Sequence, residues 1–306
     1  MIRTRFAPSP TGDLHLGGAW TALAAWAYAR AHGGATVMRM EDIDTPRVVA
    51  GSAKRIEEDL AWLGLDWDET TPPQSQRTAI YEEALAKLKA KGLTYECDCS
   101  RAEIARVASA PHPGEEVVYP GTCREARPDR EMKRSPAIRL RVPDGSVVTF
   151  GDLVKGETTQ DVQKNVGDFV LRRADGVFAY QLVVAIDDAL TNITHVIRAD
   201  DLLASTARQL LLLRLLGYAN EPTYAHLPLV VGSDGSRLAK RGRGTTIREL
   251  RDRGITASEI LGTLAHGLGL ISGDARALSA SEIASSLTPP ASWRKTPWPM
   301  PSAWAT

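Results

Sequence analysis

Long apolar runs are missing from this sequence. The longest, at 210–213 and 227–231, fall far short of the ~18 to 20 residues that cross a bilayer, so no membrane-spanning helix is expected. The opening Met1-Ile2-Arg3-Thr4-Arg5 runs straight into a Pro/Gly-rich segment, without the apolar stretch of a signal peptide, and the expected location is the cytoplasm. Excess charge is missing too. Thirty-seven Lys plus Arg balance 37 Asp plus Glu, which argues against a protein that coats nucleic acid by bulk positive charge, though not against local patches. Cysteine is scarce and odd in number, three in 306 residues, so a disulfide framework is not expected.

The three cysteines nevertheless cluster. Cys97, Cys99 and Cys123 fall within 27 residues, a spacing that suggests a shared purpose, and structural zinc, with four donors in a tetrahedron, is the obvious one. The same window offers His112 and Tyr119 as a fourth donor; an imidazole is the chemical default and a phenol an unusual ligand. Three thiols without a metal are the bland alternative.

The remaining composition, 43% hydrophobic and 24% charged, fits about two globular domains. A strand at 2–6, a loop broken by Pro8, Pro10 and Gly12, an alanine-rich helix over 19–31 and a strand at 36–40 make a βαβ pattern, hence a parallel sheet. Amphipathic helices are expected at 53–63 and 78–91. The pattern becomes irregular from 97 to about 141, with short strands near 117–119, 137–142 and 147–150, and reads as an insertion. Periodic structure resumes at 178–186 and 195–198, then a helix over 202–216, a strand-like run at 224–231, and helices at 247–253 and 257–268. A proline- and tryptophan-rich stretch follows from Pro289.

Two segments suit phosphate chemistry. The loop from Arg5 to Gly18 places a serine, a histidine and three glycines just before a helix, whose N-terminus offers free N–H groups and partial positive charge. Arg237-Leu238-Ala239-Lys240-Arg241 lies between glycines in a region, Arg237 to Arg253, with seven basic residues against two acidic, which suits a polyphosphate whose charge grows in a transition state. A capped βα turn and a solvated surface loop are the respective plain readings.

Taken together, these residues carry a resemblance. Phe6-Ala7-Pro8-Ser9-Pro10-Thr11-Gly12 with His15-Leu16-Gly17-Gly18 resembles the HIGH signature of class I aminoacyl-tRNA synthetases in their glutamyl form, and Arg237 to Arg241 resembles the KMSKS loop. Arg39-Met40-Glu41-Asp42-Ile43-Asp44-Thr45 and Ile193-Thr194-His195-Val196-Ile197-Arg198 are similar to further glutamyl-family segments, in the family's order.

The resemblance implies an α/β, Rossmann-type catalytic domain that condenses L-glutamate with ATP, together with Mg2+, into glutamyl-adenylate. It also implies residue roles. Arg5 would pair with the glutamate side-chain carboxylate, Ser9 and Glu41 would hold its backbone, and Tyr180 and Arg198 would complete the pocket. His15, Gly17, Gly18 and Lys240 would bind ATP, with His15 and Lys240 stabilising phosphate charge in catalysis. The cysteine segment with Tyr119-Pro120-Gly121-Thr122-Cys123 resembles the family's zinc-binding, acceptor-stem-like insertion, in which tyrosine is the fourth ligand, so Tyr119 replaces His112. The expected divisions are 1–93 and 176–241 for the two catalytic halves, 94–175 for the insertion, and 242–306 for a helical region and tail.

Only 65 residues follow the KMSKS-like loop, too few for a helical anticodon-binding domain. That length, and Ala199-Asp200-Asp201-Leu202-Leu203 after Arg198, resemble a shortened branch that attaches glutamate to queuosine at the wobble position of tRNA(Asp). A monomer gripping the anticodon stem-loop is the expectation. A truncated enzyme charging the 3′ end of tRNA(Glu), an inactive RNA-binding paralogue and a small-molecule nucleotidyltransferase are the alternatives. Three departures stand out: Ala199 for the usual glycine, Arg237 for lysine and Ala239 for the KMSKS serine. The lost hydroxyl removes about one phosphate contact, ~1 to 2 kcal/mol, and an active enzyme is expected.

Overall fold

A computed structural model describes residues 1–107 (107 by its backbone), 118–125, 130–236 and 245–305. The strands are β1 (Arg3–Phe6), β2 (Ala35–Met38), β3 (Glu69–Thr70), β4 (Thr94–Cys97), β5 (Ala137–Leu140), β6 (Val147–Asp152), β7 (Gly156–Asp161), β8 (Val170–Arg172), β9 (His195–Ala199), β10 (Thr223–Leu227), β11 (Val230–Val231) and β12 (Trp298–Pro299). The helices are α1 (Leu16–Ala31), α2 (Ser52–Trp62), α3 (Thr78–Ala90), α4 (Arg101–Val107), α5 (Val162–Asn165), α6 (Tyr180–Leu190), α7 (Leu203–Leu216), α8 (Ile247–Asp252), α9 (Ala257–Leu268) and α10 (Ala280–Ser285).

The expected βαβ unit is present: β1 and β2 pair in parallel, Arg3 opposite Ala35 through Phe6 opposite Met38, and β3 extends the row. A second sheet has the order β7-β6-β10-β9, with β6, β10 and β9 parallel. Its β9 edge meets β1, where Thr194 N donates to Arg3 O at 2.9 Å. Across that junction the parallel strands run β3-β2-β1-β9-β10, so the chain moves outward from β1 in both directions. Such a reversal opens a crevice beyond the carboxyl ends of the two central strands, where open α/β sheets bind ligands.

Helix α1 has almost no polar face. Trp20, Leu23 and nearly all its alanines are buried, which allows the helix to sit inside the core with other elements around it. The proline- and tryptophan-rich stretch supplies part of that covering. Trp298 stacks on Trp20 with ring centroids 5.0 Å apart, and Trp293 and Trp304 are buried. Strand β12 pairs with β11, and Thr245 Oγ1 donates to the carbonyl of Trp304 at 2.9 Å.

Within 94–175, β4, β5 and β8 form a sheet of order β4-β5-β8, whereas β6 and β7 belong to the second sheet. Val118 and Tyr119, expected in a short strand, have irregular backbone, and Val117 lies outside the described residues. The run at 224–231 is two strands, divided where Pro228 cannot donate to a ladder. No helix among the described residues is long and apolar enough to cross a membrane.

Candidate active site and metal centre

The crevice between the carboxyl ends of β1 and β9 is a cleft of about 580 Å³. Arg5, Ser9, His15, Gly17, Gly18, Glu41, Tyr180 and Arg198 all line it, so the residues expected to hold glutamate and ATP converge from four separate stretches of sequence. Lys240 and the rest of the 237–244 stretch lie outside the described residues. Both of its flanks are placed at this cleft: Val230 lines it on one side, and on the other Thr246 bridges to His15, with Leu16 N donating to Thr245 O at 3.1 Å.

One end of the cleft is a buried lattice of alternating charge. Asp188, on α6, accepts from Arg5 Nε at 3.2 Å and from Arg39 Nη1 at 2.6 Å, and Arg39 Nη2 donates to Glu41 Oε1 at 3.1 Å. Burial alone would raise the Asp188 carboxyl, but Arg39 and Arg5 outweigh it and hold the group below the usual carboxylate range. Burial raises Glu41 against the pull of the same arginines. Arg5 spends only Nε on Asp188; its Nη atoms make no hydrogen bond among the described residues, which leaves the fork that pairs a carboxylate bidentately. Glu41 Oε2 makes no hydrogen bond among the described residues. Tyr180 opens α6 beside them, its hydroxyl raised by burial and by Glu41. This end of the cleft therefore offers one cationic fork and one anionic oxygen side by side.

The other end is built on the start of α1. His15 is its N-cap, and Nδ1 accepts from Gly18 N at 3.1 Å. That bond assigns the tautomer: the neutral ring carries its proton on Nε2, a donor for a phosphate oxygen. Although the ring is open on its cleft side, the surrounding protein desolvates it and lowers its pKa, with Asp201 opposing. The glycines keep the turn uncrowded, since a Cβ on Gly17 would lie 3.2 Å from His15 Nδ1 and one on Gly18 2.8 Å from Leu14 Cδ1.

The cysteine cluster is assembled as well. Cys97, Cys99 and Cys123 bring their sulfurs within 4.8 Å of one another, a group fit to hold a metal ion. Tyr119 Oη lies 3.4 Å from Cys97 Sγ and 3.7 Å from Cys99 Sγ, and Cys99 and Cys123 sulfurs are 3.5 Å apart. A tetrahedron with Zn–S of about 2.3 Å and Zn–O of about 2.0 Å has S···S edges of about 3.8 Å and S···O edges of about 3.5 Å, so the donor set fits the ion. Its surroundings suit anionic ligands: Cys123 N donates to Tyr119 Oη at 2.8 Å, Arg139 stacks 3.8 Å over the Tyr119 ring, and Arg130 Nη2 is 3.2 Å from Cys123 Sγ. Burial and the neighbouring thiols push Cys99 up to about 11. His112 lies outside the described residues.

A second cleft of about 510 Å³ shares Ser9, Glu41 and Tyr180 with the first and runs to Cys97, Cys99 and Arg139, with Arg47, Arg101 and Arg173 along it. The sequence does not disclose Asp188 as a support of the site. A signal for it exists: Asp187 and Asp188 are adjacent acids in a mostly apolar helix, a pattern that demands buried partners.

Residues 1–296 match the family described as tRNA synthetases class I (E and Q), catalytic domain. A glutamyl-Q tRNA(Asp) synthetase from Symbiobacterium thermophilum is 46% identical over 89% of this chain and 88% of its own. A glutamate–tRNA ligase from Nitrosospira multiformis is 44% identical over 92% of this chain but 60% of its own. Among solved structures, a glutamate-tRNA synthetase from Elizabethkingia anophelis superposes with a TM-score of 0.83 at 28% identity, covering 99% of this chain and 68% of that one.

Proposed function

We infer the activity from the premise that the chain belongs to the class I tRNA synthetases of the E and Q group. It is a ligase that activates L-glutamate with ATP and transfers the glutamyl group to the queuosine base at the wobble position of tRNA(Asp). The observation that carries this reading is the match to a relative of that name along nearly the whole of both chains.

In the first step an α-carboxylate oxygen of glutamate attacks the α-phosphorus of ATP and pyrophosphate leaves. Arg5 grips the side-chain carboxylate, Ser9 and Glu41 hold the amino-acid backbone with Glu41 facing the ammonium, and Tyr180 and Arg198 close the pocket. No protein nucleophile is needed; the site positions the carboxylate and offers charge and donors to the phosphates. His15 donates from Nε2 to the phosphates, and Lys240 neutralises the departing pyrophosphate. In the second step a hydroxyl of the modified base attacks the activated carbonyl and AMP leaves. The second cleft, continuous with Ser9, Glu41 and Tyr180 and lined by arginines, is the approach for that nucleoside. Cys97, Cys99, Tyr119 and Cys123 would hold one zinc ion, which would tie the Tyr119–Cys123 segment to the end of β4 within the insertion. The protein works as a monomer in the cytoplasm, where its RNA substrate resides.

Glutamate-dependent exchange of pyrophosphate into ATP without tRNA tests the first step. Mapping labelled glutamate on tRNA tests the second: label on queuosine-containing tRNA(Asp) is expected. Label at the 3′ end of tRNA(Glu) instead would establish a conventional charging enzyme, and absence of exchange would end the enzymatic reading.

A further inference from the structure

We propose that His226, seated against Asp152, is a positioning residue that locks the Arg198 guanidinium in the orientation from which it meets the amino-acid substrate. The proposal rests on the reading above that Arg198 binds glutamate.

Three adjacent parallel strands carry the arrangement. Register sets His226 of β10 opposite Arg198 of β9, and Asp152 closes β6 on the other side of β10. The three side chains therefore form a row at the carboxyl ends of the strands, and all are buried. His226 Nδ1 lies 2.6 Å from Asp152 Oδ2, and Arg198 Nε donates to His226 Nε2 at 3.1 Å. An arginine Nε is only a donor, so His226 Nε2 must present its lone pair, and the ring proton must sit on Nδ1, facing Asp152. One tautomer satisfies both contacts. Burial favours this neutral ring, holding its pKa below the ordinary imidazole value against the pull of Asp152. Asp152 is itself fixed, accepting from Val154 N at 2.9 Å, Lys155 N at 2.8 Å and His226 N at 3.0 Å.

The other guanidinium donors are also committed. Nη1 donates to Gln209 Oε1 at 2.9 Å, and Nη2 to Thr206 Oγ1 at 3.0 Å and Leu202 O at 3.3 Å. With Nε on His226, four of the five N–H groups of an arginine are used, and the remaining one belongs to Nη1. The direction of that last donor is set by the other four, and Arg198 lines the glutamate cleft. The relay thus supplies a preoriented donor, whose value lies in geometry that is fixed before the substrate arrives.

Two substitutions split the histidine's contacts. His226→Asn keeps an amide donor near the Nδ1 position for Asp152 but withdraws the acceptor from Arg198, whereas His226→Gln places an amide oxygen near the Nε2 position. In tRNA-free pyrophosphate exchange, His226→Asn is expected to raise the KM for glutamate by about tenfold or more with the KM for ATP unchanged, and His226→Gln to stay within about threefold of wild type. Equal glutamate KM values in the two variants, or parallel rises for glutamate and ATP, would overturn the proposal. Should His226→Asn fail to fold by circular dichroism, Thr206→Val decides, because Thr206 Oγ1 accepts from Arg198 Nη2 and lies 3.2 Å from His226 Nε2, bracing both members of the pair: a selective rise in glutamate KM supports the relay and an unchanged value refutes it. Arg198→Lys separates the two layers. If it leaves the glutamate KM unaltered, the assignment of Arg198 to glutamate fails; if it raises that KM while His226→Asn does not, only the relay fails.

Discussion

Replacing Asp188 by Asn tests the charge lattice under the amino-acid pocket. The carboxylate serves two buried arginines at 3.2 and 2.6 Å, and the side chains of Arg5, Arg39 and Asp188 are 5%, 1% and 4% exposed. An asparagine preserves shape and offers one oxygen to one arginine, but it leaves two buried cations with only Glu41 and the more distant Asp187 as counter-charges. Removing one partner of a buried ion pair costs about 3 to 5 kcal/mol. At about 2 to 4 °C per kcal/mol for a large domain, the melting midpoint should fall by roughly 6 to 20 °C. Asp188→Asn/Arg39→Met restores the balance of one cation to one anion, so its loss should be smaller than the sum of the single losses by about 0.5 to 3 kcal/mol. The effect also has a pH signature. Because the folded-state pKa of Asp188 lies below its unfolded value, its stabilisation is present at neutral pH and is lost as pH falls through that lowered pKa. The gap between wild type and Asp188→Asn should therefore close below about pH 4. Scanning calorimetry from pH 3 to 8 measures both. A variant melting within about 2 °C of wild type at pH 7, or a gap independent of pH, would refute the lattice as an electrostatic support.

Other expectations follow from the remaining parts of the molecule. Metal analysis of protein purified without chelator should find one zinc per chain, and Tyr119→Phe should lower that occupancy or speed its loss to a chelator; unchanged retention would remove Tyr119 from the ligand set. His15 has a depressed pKa and must be neutral to accept from Gly18, so the affinity for ATP should hold through neutral pH and weaken only below the ordinary imidazole range of about 6.5. A loss of ATP affinity centred above that value would contradict the assigned tautomer. Trp298→Ala should destabilise the protein by about 3 to 5 kcal/mol, since the ring stacks on Trp20 and presses on Gly267, where a Cβ would come within 2.5 Å of it. A change under about 1 kcal/mol in denaturant unfolding would show that the core closes without it.

The sequence discloses the chemistry-bearing residues better than it discloses their support. Period and punctuation reveal β1, α1 and β2, and the α1 boundary moves only from Ala19 to Leu16, because the two glycines that suggest a loop are the first turn of the helix. Helix α10 escapes notice because it is six residues long and lies near prolines, although Ser279 and Glu282 form a capping box, the same device that opens α8 and α9. Strand order is illegible in one dimension. Nothing local says that Val147–Asp152, inside an irregular stretch, pairs with β10, and hence that Asp152 reaches His226. Asp188 and Arg39 stay hidden for a similar reason: they are 149 positions apart, and each satisfies the other only after the sheet is built. The motif residues at the two ends of the cleft are legible in the sequence, but the lattice beneath them depends on tertiary pairing.

The tryptophan-rich stretch also bears on how the protein is made. Helix α1 is among the first elements to leave the ribosome, yet Trp20 waits for Trp298 and the α1 core waits for α9 and α10. At about 5 to 20 residues per second, the intervening 278 residues take roughly 14 to 56 s to synthesise. During that interval α1 can pack on β1, β2 and β9, but the side that α9, α10 and Trp298 cover in the finished fold stays open, an apolar surface that closes only when those segments arrive.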